Sequence, residues 1–236
     1  MLLYNITLVV VQYFFSHMAD LVMEIDWLNR TVRHITRSND RGYMDGQTQE
    51  VEPGPIQMAK GSGNRRFLYL ATGSTIAFVL YSVLILEPVS KCFTLEDSSN
   101  SLGLRFTYTL EMVRDFFELR SQDQLDCYVE FLQIWDVMYA VVYASMYCFW
   151  IMYFYHDRPI FLVVPVLAMV ADWAENFVEV MMINRYLDSN TISDTLVSVG
   201  SGLNVIKWVF FSLTYLIIAV GIRTKIKSVI RQSKKE

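Results

Sequence analysis

Two stretches of this chain are apolar enough to cross a bilayer without help from any neighbour. Residues 67–86 run for twenty positions without a charge and residues 137–155 for nineteen, close to the ~20 residues that span a ~30 Å hydrocarbon core. Two further runs have the length of a span but contain polar groups. Residues 160–183 are apolar only as far as Ala171, and residues 202–222 are interrupted by Lys207. Each therefore needs neighbouring helices to satisfy its polar side chains. The pattern predicts four spans, and with them an all-α, polytopic membrane four-helix bundle over residues 67–225.

The segments around the spans differ in kind. Leu21, Ile25, Leu28, Val32 and Ile35 recur at helical spacing behind the apolar run 2–15, which predicts an N-terminal amphipathic helix over residues 1–37, lying on the bilayer or against the bundle. The run lacks the basic n-region and small-residue cleavage site of a signal sequence, and Asp20, Glu24 and Asp26 are unlike an acid-poor mitochondrial presequence. A start at Met18 would shorten this helix. Residues 38–66 hold Asn-Asp, Pro-Gly-Pro and Gly-Ser-Gly signals and read as a polar linker. Gly61-Ser62-Gly63 lacks the strand and later glycine of a phosphate loop.

The loop 89–130 has helical content of its own. Thr109 is placed to cap a helix, Glu111 suits its positive end, and Leu110, Val113, Phe116 and Phe117 line one side. Ser121 and Gln124 then form a capping-box pattern leading into the second span. A folded, helical outer-loop lid is expected. Cys92 and Cys127 fall near its two ends, where a disulfide in an oxidising compartment and a pair of free thiols both fit. Cys148, inside the second span, reads as a small core residue.

Basic flanks set the orientation. Lys60, Arg65 and Arg66 precede the first span, Arg158 lies between the second and third, and Arg223, Lys225, Lys227 and Arg231 follow the fourth. Both termini are thus expected on the cytoplasmic or matrix side, in a mitochondrial inner membrane or an endomembrane. Residues 89–130, with eight acids against four bases, and residues 184–201, with two against one, become the outer segments. The sequons at Asn5 and Asn29 would then lie inside and stay unmodified. The tail 226–236 is basic, which fits positive-inside flanking and also contact with anionic headgroups.

Composition agrees with a membrane class. The 236 residues are 53% hydrophobic, with net charge −4. Such a chain is not a soluble domain and shows no basic patch for nucleic acid. The bilayer and other membrane subunits are the expected partners.

The polar face of the third span is the strongest functional clue. Asp172, Glu175, Asn176 and Glu179 lie at i, i+3, i+4 and i+7. A charge at mid-bilayer costs about 2.5–3.5 kcal/mol on insertion scales, and residues kept at that cost usually face a bundle interior or an aqueous cavity. With a ~1.5 Å rise per residue, Asp172 lies about 18 Å above the inner boundary, Glu175 about 22 Å and Glu179 about 28 Å. The same count puts Lys207 about 22 Å up the fourth span and Asp136 about 28 Å up the second. Asp136, Asp172, Glu175, Asn176, Glu179 and Lys207 are therefore expected in one intramembrane layer. A Glu175–Lys207 pair with Asn176 nearby would glue the third and fourth helices, leaving Asp172, Glu179 and Asp136 without a basic partner.

Other chemistries find little support. His17, His34 and His156 are scattered, and no cysteine pair has zinc spacing. No metal, cofactor or catalytic residue is expected, although carboxylates could hold a hard cation. No serine or cysteine nucleophile has a histidine beside it at the same depth. The many tyrosines and tryptophans, such as Tyr139, Tyr143, Tyr147, Trp150, Trp173 and Trp208, read as packing and interface residues.

Tyr108-Thr109-Leu110-Glu111 with Val113, then Tyr128, Asp136 and Tyr143, then Asp172-Trp173-Ala174-Glu175-Asn176, and finally Lys207-Trp208 form an ordered set. Over residues 67–225 it resembles a family of small four-span membrane proteins of unassigned function, with a Tyr-Ser/Thr-x-Glu lid helix and an Asp-x-x-Glu-Asn third span. The resemblance implies the fold and the polar layer, and no activity.

Two classes of function follow. The lack of a catalytic motif favours a non-enzymatic accessory or scaffold subunit of a membrane complex. The alternative is a small transporter or membrane-embedded enzyme acting on a cation, proton or lipophilic amine at an outer-side acidic pocket.

Overall fold

The computed structural model describes residues 62–95 and 101–233, and every regular element among them is helical. The amphipathic helix expected over residues 1–37, most of the linker, and residues 234–236 lie outside the described residues. Four helices are long and apolar enough to cross a membrane: Arg65–Ser90, Gln122–Phe154, Pro159–Ser189 and Asp194–Ser228. The chain is an all-α, multi-pass integral membrane protein.

The first span consists of α1 (Ser62–Tyr81) and α2 (Glu87–Ser90), joined through a wide turn of π geometry at Ser82–Leu86. Pro88 supplies the reason, because it has no N–H to donate and its ring crowds the carbonyl four residues back. The wide turn absorbs this, with the Glu87 N–H reaching the Ser82 carbonyl. Residues 62–66, assigned to the linker by their glycines, begin this helix instead.

Two lid helices follow. The first, α3 (Leu110–Glu118), starts at Thr109, whose side chain accepts from the Met112 N–H, and buries Val113, Phe116 and Phe117. The second, α4 (Gln122–Glu130), opens with both bonds of the Ser121–Gln124 capping box. It continues through a wide turn at Phe131–Trp135 into α5 (Asp136–Phe154), so the second span and the second lid helix are one helical rod. Arg120 pins the lid: its guanidinium donates to the carbonyls of Phe93, at 2.9 Å, and Phe116, at 2.8 Å, and covers the Phe116 ring at 3.5 Å. Burial lowers its pKa to about 10, which leaves it charged at neutral pH. A disulfide between Cys92 and Cys127 joins the end of the first span to α4.

The third span begins with a tight turn at Pro159–Leu162 and continues as α6 (Val163–Ser189). Asn190 ends it in the left-handed conformation, φ 51°, a role that asparagine's small polar side chain tolerates. The fourth span is a single helix, α7 (Asp194–Ser233). Residues 184–201 are largely helical: only residues 190–193 connect the two helices, which project past the apolar runs. The basic residues to 233 likewise continue α7.

The third and fourth spans pack along their length, and the first packs mainly on the second. One core, around Phe93, Val113, Phe117, Leu125 and Tyr128, seats the lid, and a second, around Phe78, Tyr147, Trp150 and Ile218, fills the half of the bundle away from the lid. Leu70, Ile76, Leu84, Phe177 and Leu216 stay exposed, as side chains facing lipid would.

Two outcomes test this architecture. In a Cys148→Ser background, cysteines at Asp157 and Arg223 should be labelled from one side of the membrane and a cysteine at Glu111 from the other; labelling of all three from one side contradicts four spans. Cys92→Ser should lower stability by about 2–4 kcal/mol, since the bridge closes a long loop. Denaturant unfolding in detergent, with and without reductant, measures this.

Candidate functional site

Between the lid and the bundle, residues 101–109 form a strap that is mostly non-helical, with one short turn at Leu102–Leu104. Irregular backbone near the bilayer core must find its hydrogen bonds inside the protein. Here α7 supplies them from Ser201, Asn204 and Lys207, three residues apart and so on one face. Ser201 Oγ accepts the Tyr108 N–H at 3.1 Å and meets Thr107 Oγ1 at 2.8 Å. Asn204 Nδ2 donates to the Arg105 carbonyl, and Lys207 Nζ to the Gly103 carbonyl at 3.2 Å. From the other side, the Tyr128 hydroxyl accepts the Leu102 N–H at 3.2 Å and meets Ser101 Oγ at 2.9 Å.

Four of the six polar residues expected in one layer, Asp172, Glu175, Glu179 and Lys207, are connected through this strap, while Asp136 and Asn176 pair with each other. Lys207 Nζ lies 2.5 Å from Glu175 Oε2 and 3.1 Å from Asp172 Oδ1. Asp172 therefore has a basic partner, contrary to the sequence expectation; one turn of α6 separates it from Glu175, so one ammonium reaches both. Its other oxygen accepts from the Tyr143 hydroxyl at 2.8 Å. Glu179, 1% exposed, accepts from the Tyr128 hydroxyl at 2.5 Å. Asn176 does not join the Glu175–Lys207 pair. Its Nδ2 donates instead to Asp136 Oδ2 at 2.8 Å and to the Leu132 carbonyl at 3.4 Å.

The wide turn at Phe131–Trp135 explains the Asn176 contacts. Within it the Asp136 N–H bonds to the Phe131 carbonyl, five residues back. The Leu132 carbonyl loses its ordinary partner and turns to Asn176. Such widened turns are frequent at functional sites.

A cavity of about 170 Å³ lies beneath the strap, bounded by side chains of all four spans. Asp136, Asp172, Asn176 and Lys207 form its polar part, and Phe78, Tyr139, Tyr143, Tyr147, Phe211 and Tyr215 much of its wall. Glu175 and Glu179 are fully buried behind it. Four carboxylates thus share the layer with one ammonium. Asp136 is half-buried and has no basic side chain within ion-pair distance among the described residues.

Behind the cavity several buried atoms lack hydrogen-bond partners: the Tyr108 hydroxyl, Glu179 Oε1 and Asn204 Oδ1. Burial raises the Tyr108 phenol's pKa, and the charges of Glu179 and Glu175 raise it further, so this hydroxyl stays protonated. Among the described residues, no group of three or more His, Cys, Asp or Glu side chains is arranged to hold a metal ion.

Sequence reasoning missed Ser201, Asn204 and the hydrogen-bonding roles of Tyr128 and Tyr143. The three-residue spacing of Ser201, Asn204 and Lys207 was a usable signal, but two small neutral side chains in an apolar run attract less notice than a charge.

Fold and site together define a multi-pass helical membrane protein with a polar cavity at the level of its intramembrane charges. Comparison with protein-family profiles, curated proteins and solved structures finds no match to this chain.

Lys207→Met should destabilise the protein by about 3–5 kcal/mol, because Asp172 and Glu175 would be left as unpaired buried acids. Adding Asp172→Asn and Glu175→Gln should recover most of the loss. Unfolding in mixed detergent micelles reads both, and a single variant as stable as the parent would refute the pairing.

Proposed function

We propose that this integral membrane protein binds a small amphiphilic molecule in its cavity, in the manner of a small transporter. The observation supporting this most directly is Asp136. Its Oδ2 takes a hydrogen bond from Asn176, its side chain lines the cavity, and among the described residues no cation pairs with it. A carboxylate used only to glue helices would be enclosed like Glu175, which is 0% exposed. The first and fourth spans both line the cavity yet make little direct contact with each other, which favours entry from the bilayer between them. A hydrolytic reading has less support, since His156, near the opposite end of the second span, is the only histidine among the described residues.

The second reading is an accessory or scaffold subunit, with other membrane subunits as partners. Its support is the Lys207 cluster, which fixes how two helices and the strap meet and needs no ligand to do so. The disulfide supports a lid facing an oxidising compartment, as on the lumenal side of an endomembrane. The basic flanks favour termini on the opposite face.

Thiol accessibility separates the readings. In a Cys148→Ser background, Tyr139→Cys should react with a charged methanethiosulfonate at least tenfold faster than Leu80→Cys, which faces lipid. Equal, slow rates together with a stoichiometric complex in mild detergent would sink the binding reading in favour of the subunit.

A further inference from the structure

We infer that the cavity's occupant is a lipophilic primary amine, bound as its ammonium cation with the head on Asp136 and the body among the aromatic rings. The inference rests on the binding reading above and names the chemical class of ligand. Its first support is that Lys207 is saturated. An ammonium has three donors, and Lys207 meets three acceptors: Glu175 Oε2, Asp172 Oδ1 and the Gly103 carbonyl. A carboxylate or phosphate head would find no donor left on Lys207, the only base among the described residues of the cavity wall, and would meet a layer already rich in acids.

Asp136 provides the complementary half. One of its oxygens takes the Asn176 N–H, and a carboxylate has about four acceptor sites in all. The remaining acceptors suit N–H donors on a cation, which would also balance a carboxylate that no cation among the described residues pairs with. A quaternary ammonium has no N–H to offer, so a primary amine fits better. The ring faces strengthen the case. Tyr143 lies 5.6 Å from Tyr139 and 4.9 Å from Phe211, both edge to face, and aromatic faces attract cations while their area accepts an apolar body. At roughly 10–15 Å³ per water by this measure, the cavity holds about a dozen waters, or a ligand with about as many heavy atoms.

Three probes with one body test the head group: 4-phenylbutylamine, 4-phenylbutan-1-ol and 4-phenylbutyrate, titrated calorimetrically into the full chain in phosphatidylcholine nanodiscs, with empty nanodiscs subtracted. The amine should bind at least tenfold more tightly than the alcohol, and the carboxylate should not bind measurably. Asp136→Asn should abolish the amine's preference over the alcohol. If that variant does not fold, the ratio of amine to alcohol affinity in the unaltered protein still decides. An alcohol that binds as well as the amine would overturn the amine class while leaving the cavity a binding site. No binding by any probe, with Tyr139→Cys reactive, would do the same; no binding with Tyr139→Cys unreactive would overturn both.

Discussion

The ammonium of Lys207 is the point on which the lid half of the molecule depends. It is buried, contacts two carboxylates of the third span, and accepts the load of a strap that enters the bundle as irregular backbone. Desolvating a lysine is costly and is offset only when every donor is satisfied, and here the three partners come from two separate parts of the chain. The register of α6 against α7 follows from this. A one-residue slip would turn Lys207 by about 100° and leave an unpaired charge together with an open strap carbonyl. Apolar packing alone sets no such register, because lipid tails solvate leucine and valine as well as a neighbouring helix does.

The strap raises a demand that the spans do not. Its N–H and carbonyl groups cannot form a helical ladder, so Ser201, Asn204 and Lys207 on one side and Tyr128 on the other supply the missing partners. Tyr128 is used twice. Its hydroxyl donates to Glu179 while accepting from Leu102, so Ser101 must donate to it in turn. Lid, strap and acidic layer therefore form one hydrogen-bonded unit, tied across the lid ends of the first and second spans by the disulfide and the Arg120 clamp.

The number of spans and the lid caps could be read because each depends on local pattern: uncharged run length, and the pairing of Thr109 or Ser121 with residues three positions on. Depth counting brought Lys207 to the level of Glu175 because a regular rise measures height well. It placed Asp136 beside Glu179, whereas the structure pairs Asp136 with Asn176, about one helical turn lower. The wide turn at Phe131–Trp135 and the rotation of each helix about its axis decide such contacts, and neither follows from counting. Residues 184–201 lie beyond the apolar runs and are largely helical. Arg185, Asp188 and Asp194 look like loop residues to a hydropathy argument, but a helix can project beyond the apolar layer with charged side chains in water. The strap's insertion depends on tertiary partners and left no local mark.

Both wide turns lie in the half of the bundle that holds the cavity, and this placement bears on why the cavity exists. Tyr81, at the head of the first, donates to the carbonyl of Trp135 in the second, at 2.9 Å. The first wide turn accommodates Pro88; the second has no proline to accommodate, and its effect is to redirect the Leu132 carbonyl toward Asn176. Asn176, with its amide committed to Leu132 and Asp136, holds Asp136 at the cavity wall and outside the Lys207 cluster. If the layer were only adhesive, an unbroken helix that let Asp136 pack apolar surface would serve better, since a half-satisfied polar network is less stable than an apolar core. The cost of keeping this carboxylate open to a cavity is the physical reason to look for what binds there.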